Sequence, residues 1–178
     1  ATLGTRTAPA MEEAAYLVAE LAPPPGVWPV GHANLYRDGA FVGTGRIDFA
    51  AATSANGTSS LAFGRDELVT VRAEPVQDLT GSAGFTGSRV ERRTRRAYTV
   101  ENRHKTPVTL QVLHAAPVSR NEKIEVESRY QPQPTDLAWN RNPGTVAWQQ
   151  PLAAGATAQF SAEHTIRYPK DLDVQERQ

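Results

Sequence analysis

Cysteine is absent from the 178 residues of this chain. The chain therefore forms no disulfide, has no thiolate nucleophile and offers no thiolate to a metal, although this absence leaves its cellular compartment open. Net charge is absent as well, because 19 lysine and arginine residues balance 19 aspartate and glutamate residues. No overall field draws such a chain to nucleic acid, and we expect no nucleic-acid partner. No apolar run approaches the ~20 residues of a membrane-spanning helix, so we also expect no membrane insertion.

The strongest positive signal is an alternation of apolar and polar side chains near the C-terminus. From Ala158 to Tyr168, the even-numbered residues are apolar except for His164, and the odd-numbered residues are polar. Successive side chains of a β-strand point to opposite faces, so this run predicts a strand with one face toward a core and one toward water. His164 lies on the apolar parity, and we expect it to be part of the core rather than a metal ligand.

Turn-forming residues divide the rest of the chain into short segments. Asp38-Gly39 separates two apolar runs and tolerates the positive φ angles of a tight turn, which predicts a β-hairpin over residues 33–49. Asn56-Gly57 and the glycines at positions 81, 84 and 87 predict loops. The segment 7–22 fits either a helix or a strand, because so short a run satisfies both periodicities.

About eight or nine strands result from this division of the chain. We therefore predict an all-β fold, specifically an antiparallel β-sandwich of immunoglobulin-like or Greek-key type. Residues 1–178 are expected to form one domain, since a chain of this length buries a single good core. The side chains predicted to form that core are Tyr98, Val100, Leu110, Val112, Ile124, Val126, Trp148, Phe160 and Ile166.

The order of several short segments resembles one known family. The segments are Tyr16-Leu17-Val18-Ala19, Asn34 to Gly43, Phe63-Gly64-Arg65-Asp66, Tyr98 to Asn102, Pro107-Val108, Pro117-Val118-Ser119, Ile124-Glu125-Val126, Trp148 and Ile166 to Asp171. Over residues 16–171 they resemble the C-terminal domain of unknown function of mucoidy inhibitor A-like proteins. The resemblance implies that residues 16–21 form a strand and that the protein is bacterial. It also implies the C-terminal part of a longer protein, with residues 172–178 as a tail, and it brings no mechanism.

Five arginines lie within eight residues, and four of them are candidate contacts to a ligand or partner. On a strand, Arg92 and Arg96 point to one side while Arg93 and Arg95 point to the other, so the arginines do not form one patch. We interpret them as a charged, solvated strand that discourages edge pairing. The alternative is contact with an anionic polysaccharide, a phosphate or an acidic partner.

Aromatic and nucleophilic side chains give further candidates. Trp28 and Trp139 lie in proline-rich segments, where an indole can stack on a sugar ring, and both are candidate contacts. The four histidines show no short metal-ligand spacing. Ser119 lies outside any Gly-x-Ser-x-Gly context, and we expect its hydroxyl to bond the backbone of a turn. We therefore predict no catalytic residue, no cofactor and no metal site.

The functional hypothesis follows from strong architectural patterning without a set of nucleophile, base and stabiliser. We expect a non-catalytic β-sandwich module that mediates protein interaction or assembly, including self-association through sheet edges. The expected setting is a bacterial envelope-associated protein, in the periplasm or cell envelope. The alternative function is a carbohydrate- or polyanion-binding module.

Overall fold

The computed structural model of the chain describes residues 1–50, 58–80, 85–86 and 89–172. The predicted loops at Asn56-Gly57 and at glycines 81, 84 and 87, and nearly all of the predicted tail, lie outside these residues. The strands are β1 (Thr2–Thr7), β2 (Ala15–Leu21), β3 (Gly31–Arg37), β4 (Ala40–Ile47), β5 (Ser59–Arg65), β6 (Val69–Ala73), β7 (Gln77–Asp78), β8 (Phe85–Thr86), β9 (Arg89–Asn102), β10 (Val108–Ala115), β11 (Glu125–Gln131), β12 (Thr145–Leu152) and β13 (Thr157–Pro169). A 3₁₀ turn, η1, spans Trp139–Arg141.

These thirteen strands confirm the predicted all-β class and exceed the eight or nine strands expected from the sequence. They form a five-stranded sheet in the order β12-β10-β1-β2-β5 and a two-stranded sheet, β3-β4. A six-stranded sheet has the order β11-β13-β9-β6, with β7 and β8 also paired to β9. β1 runs parallel to β10, with Thr5 opposite Leu110, so the expectation of purely antiparallel pairing is wrong at this position. No helix in the described part of the chain is long and apolar enough to cross a membrane.

One hydrophobic cluster takes side chains from both larger sheets. Six of the nine predicted core residues are almost fully buried in it, namely Tyr98, Val100, Leu110, Val112, Trp148 and Phe160. The other three, Ile124, Val126 and Ile166, are only half-buried. The alternation that begins at Ala158 holds as far as His164, which is 6% exposed, and Thr165 is then buried as well.

Two local predictions near the N-terminus are confirmed. β2 shows that the segment around residues 16–21 is a strand and not a helix. Strands β3 and β4 form the hairpin predicted from Asp38-Gly39, whose φ angles are 52° and 81°. The hairpin contacts β5 through Leu35, which is buried, and through Gly45, which lies against Leu61. Arg37, next to the turn, also donates to the Arg65 carbonyl oxygen of β5 at 3.2 Å.

The arginine-rich strand does not have the position that the sequence suggested. β9 lies inside its sheet, hydrogen-bonded to β13 on one side and to β6, β7 and β8 on the other. The interpretation of these arginines as protection of a sheet edge is therefore wrong. One edge of that sheet is β11, where Glu125, Glu127 and Arg129 supply the charges that discourage edge pairing.

Candidate functional site

The four candidate arginines are divided between the two faces of β9. Arg92 and Arg96 share the face of Tyr98, while Arg93 and Arg95 lie on the opposite face. The Arg93 guanidinium lies 3.6 Å from a Glu163 carboxylate oxygen. The same sheet carries further ion pairs, including Arg167–Glu91 at 2.7 Å and Arg89–Glu125 at 3.1 Å. Carboxylates thus accompany several arginines of this sheet, and the four candidates do not share one face.

The two candidate tryptophans lie apart, and only Trp139 lines a cavity described below. Trp28 is 54% exposed, and its indole N–H donates to the carbonyl oxygen of Pro25 at 3.3 Å. Trp139 is half-buried in η1. The guanidinium carbon of Arg6 lies over its ring, 4.9 Å from the ring centroid.

A groove crosses the face of the five-stranded sheet that points away from the core. In β1, Thr5 and Thr7 point inward and are buried, whereas Gly4 and Arg6 lie on the opposite, outward face. The groove has a volume of about 370 Å³. The residues of this outer groove that matter below are Gly4, Arg6, Glu20, Gln111, Asp136, Trp139 and Gln149.

A row of mutually bonded polar side chains lies in the outer groove. The Arg6 guanidinium donates to Gln111 Oε1 at 2.6 Å through Nε and to Glu20 Oε1 at 2.6 Å through Nη2. Gln111 Nε2 donates to Gln149 Oε1 at 3.4 Å. Burial alone would raise the pKa of Glu20, but hydrogen bonds from Ser60 and Arg6 outweigh it and hold that pKa below its ordinary value. Glu20 is therefore ionised at neutral pH and forms an ion pair with Arg6.

The rim of the outer groove is formed by the segment between β11 and β12. Asp136 forms an isolated bridge with Ala147, and its carboxylate accepts from the Ala138 N–H at 2.8 Å. Asn140 and Arg141 follow with φ angles of 52° and 58°. This left-handed conformation is tolerated by asparagine but costly for an arginine, and strained backbone of this kind clusters at functional sites.

A second polar arrangement, the buried hydrogen-bonded chain, connects Tyr98, His114, His164 and Ser128. Tyr98 Oη lies 2.7 Å from His114 Nδ1, His114 Nε2 lies 2.8 Å from His164 Nε2, and His164 Nδ1 lies 2.7 Å from Ser128 Oγ. Burial lowers the pKa of each histidine to about 4 and raises the pKa of Tyr98 to about 12. All four groups are therefore neutral at neutral pH.

The remaining polar candidates have structural partners. The hydroxyl of Ser119 donates to the Asn121 carbonyl at 2.8 Å and accepts from the Asn121 N–H at 3.1 Å, which confirms the predicted turn. His104 Nε2 lies 2.8 Å from the buried carboxylate of Asp66 and joins the turn after β5 to the turn after β9. Within the described ranges, no group of three or more His, Asp or Glu side chains could hold a metal ion.

Comparison with known proteins gives a family and no function. No curated protein and no solved structure matches the chain. Residues 3–170 match the family described as a domain of unknown function (DUF4139). This match shares residues 16–170 with the resemblance described above and extends it to residue 3 in β1, but it does not point to mucoidy inhibitor A-like proteins in particular. The chain belongs to the DUF4139 family.

Proposed function

We propose that this domain is a non-catalytic β-sandwich module that mediates contact with another protein, in a bacterial envelope-associated setting. The sandwich arrangement is supported by the single hydrophobic cluster to which both larger sheets contribute. The bacterial setting is supported by the resemblance to mucoidy inhibitor A-like proteins.

The observation that carries the proposal is an exposed aromatic pair at the tip of the β3–β4 hairpin. Tyr36 and Phe41 are each 58% exposed, and their ring centroids lie 5.7 Å apart in an edge-to-face arrangement. Their neighbour Val42 is also exposed. Aromatic side chains are enriched at the centres of protein interfaces, where their large apolar area is worth most. The hairpin holds these rings away from the shared core.

The absence of a catalytic role is supported by the environment of the buried hydrogen-bonded chain. Ser128 and His164 have the separation that a serine nucleophile and its base require. His164 is, however, buried between the sheets, and its pKa of about 4 makes it a weak base at neutral pH. The buried hydrogen-bonded chain Tyr98–His114–His164–Ser128 therefore has a structural role in the core.

Two of the sheet edges, β11 and β12, favour contact through the hairpin over strand addition. β11 is an outer strand with three charged side chains among its seven residues. β12, at the edge of the five-stranded sheet, contains Pro151 and is bridged at Ala147 by the segment that carries Asp136. Charge, proline and a covering loop are three means by which proteins prevent edge pairing.

The proposal is tested with a photo-crosslinking amino acid at position 41 in the full chain, irradiated in an extract of the source organism. We expect one protein to be crosslinked, and we expect the purified partner to bind the wild-type chain in calorimetry. The Tyr36→Ser, Phe41→Ser double variant should lose this binding. Leu137→Ser is the matched control, because Leu137 is 60% exposed on a different segment.

Two results would contradict the proposal. The first is the absence of any crosslinked protein together with a monomeric wild-type chain in sedimentation equilibrium. The second is equal loss of binding in the hairpin variant and in Leu137→Ser. If the crosslinked protein is a second copy of this chain, the hairpin is a self-association surface, and the hairpin variant should then be monomeric.

A further inference from the structure

We propose that the outer groove binds an uncharged saccharide. This site lies on the outward face of β1, β2, β10 and β12 and is independent of the aromatic hairpin. Its shape, its hydrogen-bonding groups and its charge each point to the same class of ligand.

The shape of the outer groove depends on Gly4. Gly4 lies on the groove floor, paired with Val18 and flanked by Arg6. A Cβ atom built on Gly4 would meet the Thr109 carbonyl oxygen at 3.4 Å, which is ordinary contact, so the site tolerates a side chain. The missing side chain leaves open space at the centre of the sheet. The volume of about 370 Å³ falls within the ~300–1,000 Å³ of small-molecule sites.

The hydrogen-bonding groups suit a ligand with several hydroxyl groups. Two amides, Gln111 and Gln149, present both donors and acceptors next to the donors of Arg6 and the acceptors of Glu20. Each of these side chains except Gln149 is half-buried, and their mutual bonds fix their orientation. A sugar hydroxyl is at once a donor and an acceptor, so neighbouring hydroxyls can bond to such a row. The row is prearranged, which lowers the entropy cost of binding.

The charge of the outer groove disfavours an anionic ligand. Arg6 is the only cation among the groove residues defined above, and it is bonded to Glu20. Asp136 adds a carboxylate at the rim. An anionic ligand would have to displace Glu20 and approach Asp136, whereas an uncharged saccharide leaves both in place.

The rim adds an apolar surface and a strained backbone. The half-buried indole of Trp139 lines the groove and adds apolar surface at its rim. Its orientation is set by the Arg6 guanidinium, which lies over the ring. The left-handed residues Asn140 and Arg141 directly follow Trp139. We attribute this unusual backbone to the positioning of Trp139 at the rim for a ligand.

The experiment screens the full chain on an array of neutral and acidic oligosaccharides, followed by calorimetry with the best neutral binder. We expect binding to neutral members. Gly4→Val should fill the floor and weaken this binding more than about tenfold, since it removes the space for the ligand. Gln149→Ala should weaken it about threefold to tenfold, the value of one lost hydrogen bond. Trp28→Ala is the control, and it should bind as the wild type does.

Circular dichroism and thermal unfolding establish that each variant is folded. Gln149 is exposed, so its alanine variant keeps the test valid even if Gly4→Val does not fold. Binding to acidic members alone, no binding to any neutral member, or unchanged binding by the folded Gly4→Val and Gln149→Ala variants would each overturn the proposal. The hairpin variant Tyr36→Ser, Phe41→Ser should bind the saccharide normally, so this proposal and the proposed protein contact can fail separately.

Discussion

His114 Nε2 lies 2.8 Å from His164 Nε2, and this hydrogen bond joins a strand of the five-stranded sheet to a strand of the six-stranded sheet. The two rings are nearly parallel, with an interplanar angle of 5°. One ring must donate and the other accept, so the two Nε2 atoms cannot both carry a proton. Tyr98 and Ser128 complete the chain at its two ends, and the four groups are satisfied with the protons ordered in either direction. The contact between the two sheets thus depends on the protonation state of two histidines.

We predict that the folded state loses stability as the pH falls from about 6.5 to about 4. The pKa of His114 and of His164 falls from 6.5 to about 4 on folding, chiefly because of burial. Between these values the unfolded chain binds more protons than the folded chain, so the free energy of unfolding decreases as the pH decreases. The two histidines contribute fully above pH 6.5, and each shift corresponds to a loss of about 3 kcal/mol. Urea unfolding from pH 7.5 to pH 4.5 measures this loss.

The control for the pH dependence is His32, which is exposed. His32→Gln should keep the full decrease in stability, whereas His114→Gln and His164→Gln should each reduce it. The lowered pKa values of Glu20 and Glu127 act around and below their ordinary value of 4.5, so the decrease between pH 6.5 and about pH 5 belongs to the histidines. A wild-type stability that is unchanged between pH 7 and pH 5 would contradict the prediction.

Removal of the Tyr98 hydroxyl tests the buried hydrogen-bonded chain at its tyrosine end. Tyr98 is 1% exposed, and Tyr98→Phe keeps its ring while it deprives His114 Nδ1 of its partner at 2.7 Å. An unsatisfied buried polar atom costs about 1–3 kcal/mol, and we expect the free energy of unfolding to fall by this amount. Tyr36→Phe, at an exposed position, should change it by less than about 0.5 kcal/mol. Equal effects of the two substitutions in urea unfolding would argue against a structural role for the chain.

Asn102 makes the turn after β9 sensitive to a single-atom change. Its side chain is fully buried, and Nδ2 donates to the carbonyl oxygens of Thr106, Leu152 and Ala153 at 3.0–3.1 Å. In Asn102→Asp, an ionised carboxylate cannot donate and faces these three oxygens, so we expect a loss of about 3–5 kcal/mol. Asn121→Asp is the control, because Asn121 is exposed and its Oδ1 only accepts, from the Lys123 N–H. Comparable melting temperatures for the two variants would refute this role of Asn102.

Local patterns in the sequence were sufficient for the features that depend on neighbouring residues. The period of two in β13 placed Phe160 and His164 in the core. The Asp38-Gly39 dipeptide located the hairpin, because its two residues adopt the left-handed conformation that such a turn needs. The same period of two in β10 places His114 in line with Leu110 and Val112, a signal that would have identified it as a core residue.

Features that depend on distant residues were not available from local patterns. β1 pairs in parallel with β10, more than a hundred residues away, and its inward positions are Thr5 and Thr7. Buried threonines look like surface residues in a sequence, but the Thr7 hydroxyl is satisfied by the Ala14 carbonyl at 2.7 Å. The outer groove could not be predicted from the sequence for the same reason, because Arg6 and Gln111 are brought together only by the pairing of β1 with β10. Its one predicted member was Trp139.

The packing of the aromatic hairpin on the rest of the domain gives a final prediction, which concerns Gly45. A Cβ atom at this position would lie 2.5 Å from Leu61 Cδ2 and 3.3 Å from Leu35 Cδ1, and both leucines are buried. Gly45→Ala should therefore overpack the contact and lower the free energy of unfolding by about 1–3 kcal/mol. Gly31→Ala is the matched control in the same hairpin, because no heavy atom lies within 4 Å of its added Cβ.

A double-mutant cycle identifies the contact that is responsible. Leu61→Ala alone creates a cavity and should cost about 2–5 kcal/mol. The space that it leaves accepts the methyl group of Gly45→Ala, so the double variant should be more stable than the sum of the single effects by about 1 kcal/mol or more. Strictly additive effects would show that the methyl group does not meet Leu61. The hairpin would then be held to β5 by other contacts, such as the hydrogen bond from Arg37 to the Arg65 carbonyl oxygen at 3.2 Å.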